Sequence, residues 1–294
     1  MNRTRLNLLL AVMVLALGTG AWMAKQHKDK PKGSLTPLAA EGVSKIVIEW
    51  PGSPTIVLEK QAAEWQLTAP VKGRADRFEA VGATSLASTE MQGTVEGADL
   101  DLKELGLDPP DHVVTLNDVK IEFGGSEPLQ SRRYVRVGGV VKLIDDPASA
   151  ALDKDYADLV AKDLFAPVDE LVKIELPSLT LNRAEDGNWT APPGTANATP
   201  QSLKALADGW KNAKAMWNEA APGEAMLGTA VRITTKAGGV TDYIVASLDP
   251  QFALYSPTLK VRHQLSKALA DELLKLPEPK PATEPAARAE TPKP

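Results

Sequence analysis

The chain has 294 residues, room for one large domain or two ordinary ones, and 43% are apolar, enough for a packed core. It contains no cysteine, which excludes disulfides, iron–sulfur clusters, thiolate zinc sites and cysteine nucleophiles. Residues 1–32 hold six of the 33 Lys and Arg and one of the 38 Asp and Glu, which leaves 27 and 37 from Gly33 onward, a net of −10. Such an acidic body is a poor partner for nucleic acid or anionic lipid.

Arg3 and Arg5 precede a charge-free run from Leu6 to Ala24, and Lys25, Lys28, Lys30 and Lys32 follow it. As a helix its 19 residues extend roughly 28 Å, the thickness of a bilayer's hydrocarbon core. Trp22, at the far end, suits the interface. A cleaved signal peptide with a cut at Thr19-Gly20-Ala21 competes with an uncleaved anchor. Cleaved signals carry a shorter apolar core of about 7–15 residues, so length favours a signal anchor over residues 1–24. Both flanks are basic, so charge does not orient the segment. A short N-terminus held in the cytoplasm sends the body across. The expectation is a single-pass protein of a bacterial inner membrane with its body in the periplasm.

Residues 25–42 read as a stalk, Lys-rich and then punctuated by Pro31, Gly33, Pro37 and Gly42. A first module, 43–166, opens with strand-like "VSKIVIEW" (43–50), a "PGSP" turn, "TIVLEK" (55–60) and "EWQLTAP" (64–70). Asp76 caps a helix running to about Met91. Four strands follow, at 112–116, 119–123, 132–137 and 140–144, with Asn117-Asp118 and Gly138-Gly139 as hairpin turns. Residues 147–165 read as helix. A second module, 167–276, then repeats the order: "LVKIEL" (171–176), "SLTLNR" (178–183) and "NWTAP" (188–192). Thr199 and Pro200 start a helix whose apolar face carries Leu203, Leu206, Ala207, Trp210, Ala213 and Trp217. Strands are expected at 230–235, 241–246 and 258–262, with a closing helix at 264–276. The predicted class is α+β: two tandem related modules of mainly antiparallel sheet with packed helices, after an N-terminal transmembrane helix. The tail 277–294 has six prolines in eighteen residues and is expected to be disordered.

Trp65, Leu67 and Pro70 form a W-x-L-x-x-P strand end, Gly106, Leu107 and Pro109 a G-L-x-x-P turn, and Arg133, Tyr134 and Val135 an R-Y-V strand. In this order they resemble the bacterial family catalogued as domain of unknown function 4340, over most of residues 43–166. The second module matches more loosely: Trp189 and Pro192 remain, the G-L-x-x-P turn is missing, and Tyr243 lacks the preceding arginine. The resemblance implies a membrane-anchored protein of an uncharacterised family, some of whose members are similar to proteins found beside transporter-linked gliding or export components. It carries over no catalytic residues.

Trp65 and Trp189 recur at equivalent points, which favours a structural role closing strand against helix over a platform for sugar or peptide. Pro109 and Pro110 force an extended entry into the strand at His112. Asp99/Asp101 and Asp145/Asp146 lack calcium-loop spacing and read as solvated acids near turns. His112 and His263 each stand alone, and Gly124-Gly125 and Gly238-Gly239 lack the context of a phosphate loop. Arg132 and Arg136 share one strand face, solvated or gripping an acidic partner. No catalytic, cofactor or metal site is assigned. The expected function is that of a non-enzymatic scaffold or accessory subunit of an envelope complex with a protein partner. The alternatives are a module binding cell-wall glycan or peptide between the two modules, and, more remotely, a carboxylate-based hydrolase.

Overall fold

The computed structural model describes residues 13, 19, 33–97, 100–128, 131–145, 154–221, 223 and 228–277. Of the expected anchor Leu6 to Ala24, only Met13 and Thr19 are among them, both helical. The rest of it, and the tail beyond Pro277, lie outside the described residues. Among the described residues no helix is long and apolar enough to cross a membrane.

The fold is α+β and mostly sheet, with its strands in two antiparallel sheets. The first set comprises β1 (Lys45–Glu49), β2 (Ile56–Gln61), β3 (Glu64–Ala69), β4 (Gly73–Arg74), helix α1 (Arg77–Thr84), β5 (Met91–Thr94), β6 (His112–Leu116), β7 (Val119–Glu127), β8 (Arg132–Val137) and β9 (Val140–Asp145). The second comprises β10 (Leu171–Leu176), β11 (Leu179–Arg183), β12 (Trp189–Thr190), helix α2 (Pro200–Lys211), β13 (Trp217–Ala220), β14 (Thr229–Thr235), β15 (Val240–Ser247), β16 (Phe252–Ser256), β17 (Val261–Leu265) and helix α3 (Lys267–Leu274).

Two compact units divide the chain, one of residues 1–43 with 84–150, the other of 44–83 with 151–294. In the first unit the strands run β6-β7-β8-β9-β5. In the second they run β4-β3-β2-β1 and, separately, β12-β11-β10-β14-β15-β16-β17-β13. Apart from β4, which has no counterpart, each order in the first set recurs in the second: β3, β2, β1 match β12, β11, β10, and β6 to β9 with β5 match β14 to β17 with β13. The ladders agree residue by residue. Ile46 faces Leu58 as Ile174 faces Leu181, Glu59 faces Gln66 as Asn182 faces Thr190, and Lys60 faces Trp65 as Arg183 faces Trp189. Trp65 and Trp189 therefore occupy one position of a duplicated module.

The local chemistry explains the elements. Alternation puts Ile46 and Ile48 of β1 inward, and Leu58, Leu67, Ile174 and Leu181 likewise. The expected two-residue hairpins close at Leu116–Val119 and Val137–Val140; Gly138 and Gly139 are both at positive φ, as a type I′ turn requires, whereas at the first turn only Asn117 is. Thr199 caps α2: its hydroxyl accepts the Ser202 amide at 3.1 Å while Ser202 Oγ accepts the Thr199 amide at 2.9 Å. The buried face of α2 carries Leu203, Leu206, Ala207 and Trp210, and the Trp210 indole donates to the Leu273 carbonyl at 2.7 Å.

Four expectations are corrected. Residues 154–165 are turns and a bridge, not helix. Their backbone exchanges hydrogen bonds with other segments, Asp76 to Leu159, Ala161 to Arg74 and Ala215 to Lys162, and those long-range bonds replace the i→i−4 ladder. Trp217 is not on the helix face: α2 stops at Lys211 and Trp217 is an exposed member of β13. The end of the expected stalk is part of the body. Leu35 is fully buried, its amide bonds Thr89, and Thr36 Oγ1 donates to the Ala87 carbonyl at 2.7 Å. Tyr243 lies on β15, the counterpart of β7, so it is not the equivalent of Tyr134 on β8.

Candidate functional site

Within the first unit, the G-L-x-x-P turn sits on a bulge in β7. The β7–β8 register shifts between Phe123 and Ser126, around Gly124-Gly125. The Gly125 amide bonds the Leu105 carbonyl at 2.8 Å, and Leu107 is fully buried. The approach is too close for side chains: a Cβ on Gly124 would stand 2.4 Å from Leu105 O and 2.8 Å from Leu107 Cγ. Gly106, at φ +67, would place one 2.7 Å from the Gly125 nitrogen. Arg133 completes the junction, donating Nε to the Gly124 carbonyl at 2.9 Å and pairing with Asp111 at 3.1 Å. Next to it His112 is buried and stacks on Phe123, ring centroids 4.2 Å apart. Burial, with the Arg133 charge second, pushes its pKa down to about 4.

Two of the grooves within the second unit have a tryptophan on their walls. The first has a volume of about 570 Å³, with Trp50, Pro51, Pro54, Pro70, Tyr156 and Lys260 among its walls. Trp50 is half-buried, and the Tyr156 hydroxyl donates to the Lys260 carbonyl at 2.6 Å. Burial raises the pKa of that phenol, with the Asp155 charge adding to it. Lys154 reaches the rim and pairs with Glu79 at 2.6 Å.

The second groove, of about 620 Å³, has Trp189, Asn188 and Gln201 among its lining residues, with Arg183, Lys204 and Asp208 around them. Trp65, its counterpart in the first module, is 5% exposed, whereas Trp189 is only half-buried. The expectation that both tryptophans are buried therefore holds for Trp65 alone. The cause is chain length: four residues separate Trp65 from Pro70 but two separate Trp189 from Pro192. β12 ends after two residues, and the smaller Ala191, packed against the core, stands where the first module has Leu67.

A buried polar pair lies in the core of the second unit. Asn218 Nδ2 donates to the Val160 carbonyl at 2.9 Å, which leaves Asn218 Oδ1 facing His263 Nδ1 at 2.7 Å. The network therefore places the imidazole proton on Nδ1. His263 Nε2 has no hydrogen-bond partner among the described residues. Burial lowers its pKa to about 4, so the ring is neutral at physiological pH.

A family model described as Domain of unknown function (DUF4340) matches residues 65–229. The chain belongs to this family. The match begins at Trp65 and reaches Thr229, so it runs well into the second module, further than the motifs alone suggest. No curated protein and no solved structure matches the chain.

The DUF4340 motif residues separate by role. Trp65 and Leu67 are core, and Pro70, after a cis peptide bond, lines the Trp50 groove. Gly106, Leu107 and Arg133 meet at the β7 bulge. Pro109 is exposed after a second cis bond, Tyr134 is half-buried on β8, and Pro192 is exposed. Arg136 bonds Glu122, whose other oxygen takes Lys120 at 2.9 Å, and Arg132 stands opposite Asp145 in the ladder. Asp101 caps a turn through the Lys103 amide and Asp145 accepts Gln92 Nε2; Asp99 and Asp146 lie outside the described residues.

Sequence reasoning missed the roles of Trp50, Tyr156, Lys260 and Gln201. One signal was present. Seven residues separate the equivalent ladder pairs' strands at 49–55, against two at 177–178. The Trp50 loop is thus a five-residue insertion carried by the first module alone.

Proposed function

We propose that this DUF4340 protein is a non-enzymatic, membrane-anchored accessory subunit of a bacterial envelope assembly, and that the Trp50 groove holds an extended apolar segment of its protein partner. The charge-free run Leu6 to Ala24 supports the anchor, and a body beyond it in the periplasm follows from a short cytoplasmic N-terminus. The acidic body argues against nucleic acid.

The observation that carries the reading is that the insertion 49–55 walls a groove with Trp50, Pro51 and Pro54, opposite Tyr156. Prolines and a Tyr–Trp pair give an apolar, rigid surface of the kind that receives extended peptides. Lys154 and Lys260 are balanced by Asp155 and by Glu79, which pairs with Lys154, so the apolar walls rather than charge select the segment.

A photoreactive residue at Ser53 in the intact protein, with cross-linking in cells, tests this. Ser53 is expected to give one dominant protein adduct, diminished several-fold by Trp50→Ala, while the exposed turn position Asp118 gives none. An adduct shared by Asp118, or no adduct from Ser53, overturns the proposal.

A further inference from the structure

We infer that the Trp189 groove is a second binding site, separate from the Trp50 groove, and that it takes an uncharged oligosaccharide. Three observations converge on it. The first is the asymmetry of the duplication. Trp65 and Trp189 face equivalent ladder residues, Lys60 and Arg183. In the first module the indole is sealed at 5% exposure; in the second the shortened strand leaves it on the wall of a cavity. Trp189 packs against the core of the second module and at the same time lines the groove, which Trp65 does not do in the first copy.

The second observation is the character of the walls. Beside the indole stand Asn188 and Gln201, whose planar amides each offer a donor and an acceptor. The cavity falls within the range of small-molecule sites, about 300–1,000 Å³. A flat apolar ring flanked by amides matches a pyranose, which has one face of C–H groups and an equator of hydroxyls.

The third is charge. Asp169, Glu170 and Asp208 are matched by Arg183, Lys204 and Lys211, three against three. These groups are held in place: Arg183 pairs with Glu170 at 3.4 Å and donates to the Gly187 carbonyl at 3.3 Å, Glu170 also takes Lys236 at 3.1 Å, Lys204 pairs with Asp208, and Asp169 and Lys211 bond the Ala166 backbone. A charge-balanced lining favours neither an anion nor a cation. Its side chains are already placed, so little ordering is needed when a neutral ligand arrives.

The test uses the full-length protein in detergent micelles, with a tetramer of β-1,4-linked N-acetylglucosamine and one of α-1,4-linked glucose as probes. Saturation-transfer NMR and tryptophan fluorescence report binding. At least one probe is expected to bind saturably, with affinity nearly unchanged between 0.05 and 0.5 M salt, about the range over which surface charge effects are screened. Trp189→Ala is expected to weaken binding about 10-fold or more, and Gln201→Ala several-fold without a change in melting temperature. Trp50→Ala is expected to leave it intact, which separates this site from the partner groove. Failure of both probes, a steep loss in salt, or unchanged affinity in Gln201→Ala overturns the inference, and the last decides the matter if Trp189→Ala does not fold.

Discussion

Acidification from pH 7.5 to 5 should remove about 4 kcal/mol of stability from this protein, about half from each of two buried histidines. His112 and His263 are each about 1% exposed and are held neutral, with pKa values lowered from 6.5 to about 4. In the unfolded chain they protonate near 6.5, so below that pH the unfolded state binds more protons than the folded one. The stabilisation is thus fully present above 6.5 and lost as pH falls toward 4. For one such group at pH 5 the linkage integral gives about 2 kcal/mol. The carboxylates with lowered pKa, Glu122 and Glu219 among them, contribute stability present above their ordinary value of 4.5 and lost below it. Asp158, whose pKa burial raises, acts in the opposite sense, so the comparison with a histidine variant assigns the loss to the imidazoles. Imidazole NMR reads each ring directly, and neither should titrate above pH 5. Denaturant titrations should show the pH dependence shrinking by about 2 kcal/mol in His263→Gln, which keeps a donor toward Asn218. A ring titrating near 6.5, or an unchanged pH dependence in the variant, refutes the reasoning.

Trp65→Ala should cost about 3–5 kcal/mol, as for other buried aromatic truncations, and Trp189→Ala at least about 1 kcal/mol less because its indole is partly solvated already. Equal losses in denaturant titration would contradict the difference drawn between the two copies. Gly124→Ala should destabilise by about 1–3 kcal/mol, since its new methyl meets the Leu105 carbonyl and Leu107. Gly82→Ala meets nothing within 4 Å on α1 and should stabilise by about 0.5–1 kcal/mol; melting curves that rank the two glycines the other way would be inconsistent with the packing described.

Much of the architecture was legible because it is local. Period-two burial marked β1, β2, β10 and β11, glycine and asparagine pairs marked the hairpins, and Thr199-Pro200 marked the start of α2. What escaped depends on contacts distant in sequence. β5 reads M-Q-G-T and β13 reads W-N-E-A, with no alternation to find; pairing with β9 and β17 makes them strands. β16 is buried at every position, so it lacks a polar phase. Residues 154–165 have helix-compatible spacing, Tyr156, Ala157, Leu159 and Val160 being buried, but hydrogen bonds to Arg74, Asp76 and Ala215 hold the segment out of a helix. The Trp50 groove escaped for the same reason, since Trp50, Tyr156 and Lys260 line it together only after more than a hundred residues of intervening chain.

The duplication gives a way to separate what the fold requires from what it carries. Positions that the two modules share, such as Leu58 with Leu181 and Ile46 with Ile174, are buried in both and explained by packing alone. The motif junction of Gly106, Gly124 and Arg133 is likewise accounted for by backbone approach and hydrogen bonding. Besides β4 and the G-L-x-x-P turn, found in the first module alone, the copies part company at a loop longer by five residues at Trp50 and a strand end shorter by two at Trp189. Each of these two length differences opens a groove with an indole on its wall. A length change that served only stability would be expected to close surface, since burying an indole is worth several kcal/mol. Both changes instead leave aromatic surface partly accessible, in one copy and not the other. If both grooves bind as proposed, the apolar Trp50 groove and the charge-balanced Trp189 groove select ligands of different chemistry.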